Sequence, residues 1–183
     1  LVQEGAVGKV RLINTQKSYK LGKRPAFMHD RKTYGGTIPW VGIHGLEWIL
    51  WMSGGTLEWV SAVQAAQEAP NGVSPETTAL VQMRLNDGRM ASVTIDYLNP
   101  AAAPRHGDDR IRVVGTKGVL EVRFGKVFVI DEEGERELPL VETEKELFEE
   151  FVLEIEGKGK CRVSAEDAFF ATRVALAARE SQD

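Results

Sequence analysis

The sequence predicts an α+β domain, an open, mainly antiparallel sheet with helices packed on one face. From about residue 56 to 140, short runs of alternating apolar and polar residues are separated by Gly- and Asp-containing turns. The helical patterns lie outside that block, one before it and two after it. The turns are also tight, which makes most neighbouring strands antiparallel. At 183 residues the chain is long enough for one cored domain and short for two, so residues 1–183 are read as a single unit.

Residues 6–20, AVGKVRLINTQKSYK, set Val7, Val10, Leu12 and Tyr19 among polar neighbours and predict a half-buried strand. Residues 22–34 are charged and aperiodic, and read as a loop. A helix is expected over about 38–52, with Thr37 as its cap, Pro39 in its first turn and Gly54-Gly55 as its stop. TLEWVSAVQAAQ is the next strand, followed by a turn at Pro70-Asn71-Gly72. TTALVQMRL and RMASVTIDYL flank Asn86-Asp87-Gly88, a strong hairpin signal. Further hairpins are expected where RIRVVGT meets VLEVRFG at Lys117-Gly118, and where KVFVID meets RELPL at Glu132-Glu133-Gly134. In ETEKELFEEFVLEIEG, Leu147, Phe148, Phe151, Val152 and Ile155 form one apolar stripe opposite acids. The run 142–150 reads as a solvated helix face. Gly157-Lys158-Gly159 ends that helix, and Ser164-Ala165-Glu166-Asp167 has capping-box form ahead of a final alanine-rich helix.

Composition excludes several function classes. A net charge of −4 argues against nucleic acid or an anionic membrane as the main partner. No apolar run approaches the ~18 residues that a membrane span needs. A single cysteine, Cys161, allows neither an internal disulfide nor a cysteine-based zinc site, which fits a cytoplasmic location. The chain carries no Gly-x-Gly-x-x-Gly turn, phosphate loop or Gly-x-Ser-x-Gly elbow.

The chemistry-bearing candidates cluster in the first helix. At 100° per residue Trp40, His44, Glu47 and Trp51 share one face, and nearly every other position is apolar. A helix apolar all round is expected to be buried. His44 and Glu47 are then either a satisfied core pair or a site histidine and its companion, and the residues alone leave both readings open. His29 and Asp30, taken with His44 and Glu47, have no spacing that fixes a metal geometry, so no metal is expected. The polar insertion 104–110 reads as a solvated loop, or as one facing substrate or a second subunit.

Gly35-Gly36 followed by Gly42-Ile43-His44-Gly45-Leu46-Glu47 resembles the helix motif of the Gfo/Idh/MocA family, the relatives of glucose–fructose oxidoreductase and inositol dehydrogenase. The usual family form is a glycine pair, an aspartate, then Gly-x-His-x-x-Asp. Three further stretches match in the same order. Gly5-Ala-Val-Gly8-Lys-Val10 is similar to the strand after the family's dinucleotide domain. Arg112-Val-Val-Gly-Thr-Lys-Gly-Val-Leu-Glu121 resembles its strand-turn-strand signature. Val163-Ser164-Ala-Glu-Asp167 and Ala175-Leu-Ala-Ala-Arg-Glu-Ser181 resemble its final helices.

The resemblance implies the substrate domain of an NAD- or NADP-dependent oxidoreductase acting on a sugar, polyol or related hydroxy compound. The family's Rossmann domain, which holds most of the cofactor, would precede Leu1, and the present chain alone would be inactive. His44 matches the family histidine that binds a substrate hydroxyl and assists proton transfer. Trp40, Arg31, Lys32, Tyr34 and Glu47 are the expected substrate contacts. Subunits of the family often pair through the exposed sheet, so a homodimer or homotetramer is expected. One position departs from the pattern: Trp40 stands where the family usually carries aspartate. That substitution keeps two alternatives in play, a sugar-binding or sensing module without redox chemistry, and a nicotinamide-dependent hydrolase or epimerase.

Overall fold

The computed structural model describes residues 1–54, 56–66, 76–140 and 143–181. The expected turn at Pro70-Asn71-Gly72, the stop residue Gly55 and the first residue of the run 142–150 lie outside the described residues.

Eight strands form one sheet: β1 (Val10–Ser18), β2 (Leu57–Ala66), β3 (Glu76–Leu85), β4 (Met90–Asp96), β5 (Arg110–Gly115), β6 (Val119–Arg123), β7 (Lys126–Asp131) and β8 (Gly134–Leu138). Their spatial order is β2-β3-β4-β1-β5-β6-β7-β8. Every neighbouring pair is antiparallel except β1 and β4, which run parallel with Ile13 opposite Ala91 and Thr15 opposite Val93. That parallel contact follows from inserting the first strand between two later hairpin systems.

The hairpins sit where turn chemistry places them. Asn86-Asp87-Gly88 joins β3 to β4, and Lys117-Gly118 lies between β5 and β6. A further two-residue turn at Phe124-Gly125 joins β6 to β7. Period-two alternation then sorts the side chains. Thr77, Ala79, Val81, Met83 and Leu85 of β3, and Ala91, Val93 and Ile95 of β4, are buried on one face. The other face carries Trp59, Arg84, Met90 and Leu12 side by side in one row, and Val63 beside Leu80 in another.

The loop expected over 22–34 contains two short helical turns, a 3-10 turn at Ala26–His29 and α1 (Arg31–Tyr34). Asp30 explains the second. Its carboxylate accepts the Lys32 N–H at 2.9 Å, and Gly35, with φ of 80°, ends the turn. The next helix begins with a π-helical turn, Ile38–Gly42, and continues as α2 (Ile43–Ser53). Thr37 does not cap it as expected, because its backbone is already helical. Its hydroxyl instead donates to the Glu76 carbonyl and ties the helix start to β3. Gly54 closes α2 in the left-handed conformation, donating to Leu50 O at 3.1 Å.

Two glycines let α2 lie directly on the sheet. A Cβ at Gly42 would sit 2.3 Å from Ile95 Cδ1, and one at Gly45 2.7 Å from Val93 Cγ1. α4 (Ala165–Glu180) packs beside α2 and over β2. Its start is the expected capping box, with Ser164 Oγ accepting the Asp167 N–H at 3.1 Å and the Asp167 carboxylate accepting the Ser164 N–H at 2.9 Å. The core lies between this helix pair and the buried sheet face.

One burial expectation is corrected. The helical segment 38–53 is not buried all round, since Trp40 is 49% and Trp51 56% exposed on the face turned away from the sheet. The apolar stripe of α3 (Leu147–Ile155) also faces outward, with Phe148 76% exposed. Amphipathic periodicity shows which face is suited to cover, and here that face borders an open pocket shared with Ala165 and Ala168 at the start of α4.

Candidate functional site

The site is built on the outward face of the segment 38–53. Because Gly42 and Gly45 press one side of that segment against Ile95, Val93 and Thr15, the opposite side must project from the domain. Thr15 Oγ1 fixes this docking by donating to Gly45 O at 3.2 Å. Trp40, His44, Glu47 and Trp51 therefore share the projecting side, as helical spacing requires.

His44 is exposed in the first turn of α2, and among the described residues its imidazole makes no hydrogen bond or ion pair. Glu47 does not bond to it. That carboxylate instead lines a pocket of about 220 Å³ between α2 and the start of α4, with Leu50, Trp51, Asp167 and Phe170. Both nitrogens of His44 are thus free to meet a ligand, and a core-pair reading does not describe it.

The Trp40 ring is held at one edge by aromatic neighbours. Its centroid lies 5.8 Å from that of Phe27 and 5.7 Å from that of Tyr34, both in tilted contact. Half of the indole stays open to solvent beside His44. Tyr34 is buried, and its hydroxyl lies 3.1 Å from the Tyr97 hydroxyl and 3.3 Å from Thr37 Oγ1. Burial pushes the Tyr34 phenol above its ordinary range, against the lowering effect of those hydrogen bonds. Burial pushes Tyr97 much further up, reinforced by its hydrogen bond with Tyr34, and the Arg24 guanidinium packs over its ring at 4.6 Å. Tyr34 thus reaches the site by backing Trp40, with its own hydroxyl committed inward.

The loop cations separate. Arg31 pairs with Glu76 at 3.3 Å, and Glu76 also accepts the Thr37 N–H at 3.4 Å. Lys32 is exposed, with no side-chain hydrogen bond or ion pair among the described residues.

Sequence reasoning missed a second cluster at the same end of the sheet. Lys17 is an inward-facing residue of β1, and a charge at an inward alternation position was its available signal. Its side chain runs past Gly45 and places the ammonium 2.6 Å from Asp109 Oδ2, 4.4 Å from the Trp48 ring centroid and 5.1 Å from that of Tyr19. Trp48 lies one helical turn beyond His44. The cluster thereby connects α2 to the loop 98–109 that precedes β5.

The family model described as the GFO/IDH/MocA C-terminal domain matches residues 1–121. The chain belongs to this family. Solved structures agree with the assignment. A candidate oxidoreductase from Thermotoga maritima is 53% identical, with a TM-score of 0.94 over 100% of this chain and 56% of its own. A UDP-N-acetylglucosamine 3-dehydrogenase, GnnA, from Acidithiobacillus ferrooxidans shares the fold at 17% identity and a TM-score of 0.77, over 99% of this chain and 56% of its own. An Agrobacterium radiobacter oxidoreductase solved with NAD+, L-tartaric acid and magnesium shares it at 15% identity and a TM-score of 0.71, over 98% and 56%. No curated protein matches the chain. The chain thus spans little more than half the length of these solved relatives.

The family implies a nicotinamide cofactor, and the described residues do not form a seat for a dinucleotide. The two parallel strands, β1 and β4, are not joined by a glycine-rich turn that opens a helix onto phosphates. The segment 38–53 opens with Ile38-Pro39, and Pro39 has no N–H to offer an anion. What these residues can supply is a wall, a free imidazole and polar loops, which suits the substrate side of a reaction. Among the described residues no helix is long and apolar enough to cross a membrane.

Proposed function

We propose that this GFO/IDH/MocA domain is the substrate-holding part of a dehydrogenase that oxidises a secondary or primary hydroxyl of a sugar, polyol or related hydroxy compound. The observation that carries this reading is the free imidazole of His44 beside the half-open ring of Trp40 on a helix face that projects from the domain. Oxidation of a hydroxyl removes a proton and a hydride. His44 receives the proton, since its imidazole has no partner among the described residues and a ring nitrogen can accept one. Trp40 supports a sugar-ring face by stacking, and Lys32 reaches in from α1. Arg31 and Tyr34 act indirectly, Arg31 by anchoring Glu76 and Tyr34 by backing Trp40.

NAD or NADP is the proposed oxidant, held by polypeptide outside residues 1–183. On this reading the chain alone turns over no substrate. The Trp-for-acid substitution at position 40 favours recognition of a ring face over a charge-assisted hydrogen bond to one hydroxyl. Two copies are proposed to pair through the open sheet face, where Trp59 and Met90 are exposed in one row and Leu80 and Val63 in another, with the polar row of Ser61, Gln82 and Ser92 between them.

The test is kinetic. In the whole polypeptide, His44→Ala should lower kcat/KM for the best substrate by about 10²–10⁴-fold, and His44→Gln should not rescue it. An unchanged kcat/KM would remove His44 from the chemistry. Cofactor binding without turnover across sugars and polyols would favour the sensing module instead.

A further inference from the structure

We propose that the pocket formed by the loop 98–109 and the β6–β7 turn binds the anionic end of a polyhydroxylated acid, with Arg105 and His106 taking its carboxylate or phosphate. This names the substrate class of the site described above. It rests on that reading for its link to His44, though not for the binding itself.

The pocket, about 340 Å³, is lined by Tyr19, Arg105, His106, Asp108, Asp109 and Phe124. Its charges do not cancel. Arg110 takes Asp108, with Nη2 to Oδ2 at 2.7 Å and Nε to Oδ1 at 3.0 Å. Lys17 takes Asp109 at 2.6 Å. The Arg105 guanidinium and the His106 imidazole face no carboxylate partner among the described residues, and the His106 ring stacks obliquely on Tyr19 at 5.5 Å. A surplus of positive charge in a chain of net charge −4 is a local device rather than a general property. Arginine beside histidine is a donor set suited to carboxylate and phosphate oxygens.

The turn opposite adds an independent sign of construction. Phe124 and Gly125 have φ of 55° and 76°, the pattern of a type I′ hairpin turn. Asn, Asp or Gly occupies the first such position without strain, and an aromatic residue does not. Here the Phe124 ring is 54% exposed, yet two guanidiniums flank it, Arg105 at 5.8 Å and Arg110 at 5.3 Å from its centroid. The strained residue holds the cation that would meet the ligand. Asp109 Oδ1, buried and without a partner among the described residues, offers an acceptor for a ligand hydroxyl. The pocket lies where β1 leaves the sheet and β5 enters, the same end at which α2 begins, and Lys17 bridges the two through Trp48.

Calorimetric titration of the whole polypeptide at low ionic strength tests this with D-gluconate, D-glucose 6-phosphate and neutral D-glucose. At least one acid should bind about tenfold or more tighter than glucose. Arg105→Gln should abolish that preference, and Arg105→Lys should restore part of it. Whichever acid binds identifies carboxylate or phosphate as the anion. Phe124→Asn should weaken the same acid while raising the melting temperature, since the turn strain is relieved. Equal affinity for acids and glucose, including no binding of any of them, would overturn the proposal, as would a preference that survives Arg105→Gln. Because binding is read without turnover, loss of the anion site and failure of the His44 assignment appear in separate measurements.

Discussion

The Lys17 ammonium lies 2.6 Å from Asp109 Oδ2 in an asymmetric ion pair, the lysine side chain 4% exposed and the aspartate 41%. The two ends therefore respond differently to removal. Asp109→Ala leaves a buried cation facing only the rings of Trp48 and Tyr19, and should cost about 2–4 kcal/mol in urea unfolding. Lys17→Met fills the same space with apolar atoms and leaves an aspartate that water can reach, so it should cost under about 1.5 kcal/mol. Equal losses for the two variants would show that the pair acts as an ordinary surface contact.

The close docking of α2 makes Gly45 the most sensitive position under His44. An added methyl would meet Val93 Cγ1 at 2.7 Å and Thr15 Oγ1 at 3.1 Å. Gly45→Ala should destabilise the domain by about 1–3 kcal/mol through overpacking, despite alanine's better helix propensity. A gain in stability on thermal melting would mean that the sheet yields under the helix.

The local features of this fold were legible because their causes are local. Asn86-Asp87-Gly88 makes its hairpin, and Ser164 with Asp167 makes its capping box, from residues within three positions of each other. The shared face of Trp40, His44, Glu47 and Trp51 also followed from helical spacing. Its exposure did not, because hydropathy reports that a side is apolar without reporting what covers it. The outward stripe of α3 has the same origin. The insertion of β1 beside β4 joins residues 78 positions apart, such as Asn14 and Ser92 with their 2.7 Å side-chain bond, and no short-range pattern encodes that pairing. The same non-locality hid the cluster behind the site. Lys17 is conspicuous as an inward charge, but its partners Trp48 and Asp109 lie on other elements.

Trp40 and His44 should separate in kinetics. Stacking on an indole holds substrate and transition state alike, so Trp40→Ala should raise KM by about tenfold with little change in kcat. Trp40→Phe should recover part of the loss. Trp40→Asp would install the acid usual in the family, and should shift preference away from substrates that present a flat ring face. An equal fall in kcat and kcat/KM for Trp40→Ala would instead place the indole in the chemical step.

Tyr34 and Tyr97 define the alkaline limit of the fold. Both phenols are shifted upward by burial, so the folded state holds them neutral at pH values where the unfolded chain ionises them. Their contribution to stability is fully present below the unfolded tyrosine pKa of about 10. It is lost as pH rises from there toward the folded values, because the unfolded state then releases protons that the folded state retains. Absorbance at 295 nm should therefore show that two of the three tyrosines resist ionisation above pH ~10 until the protein unfolds. Tyr97→Phe removes one partner of the 3.1 Å hydroxyl pair and leaves Tyr34 with Thr37. That variant should lose about 1 kcal/mol at neutral pH and become less sensitive to alkali. Smooth ionisation of all three phenols near pH ~10 in the folded protein would show that this pair is open to solvent.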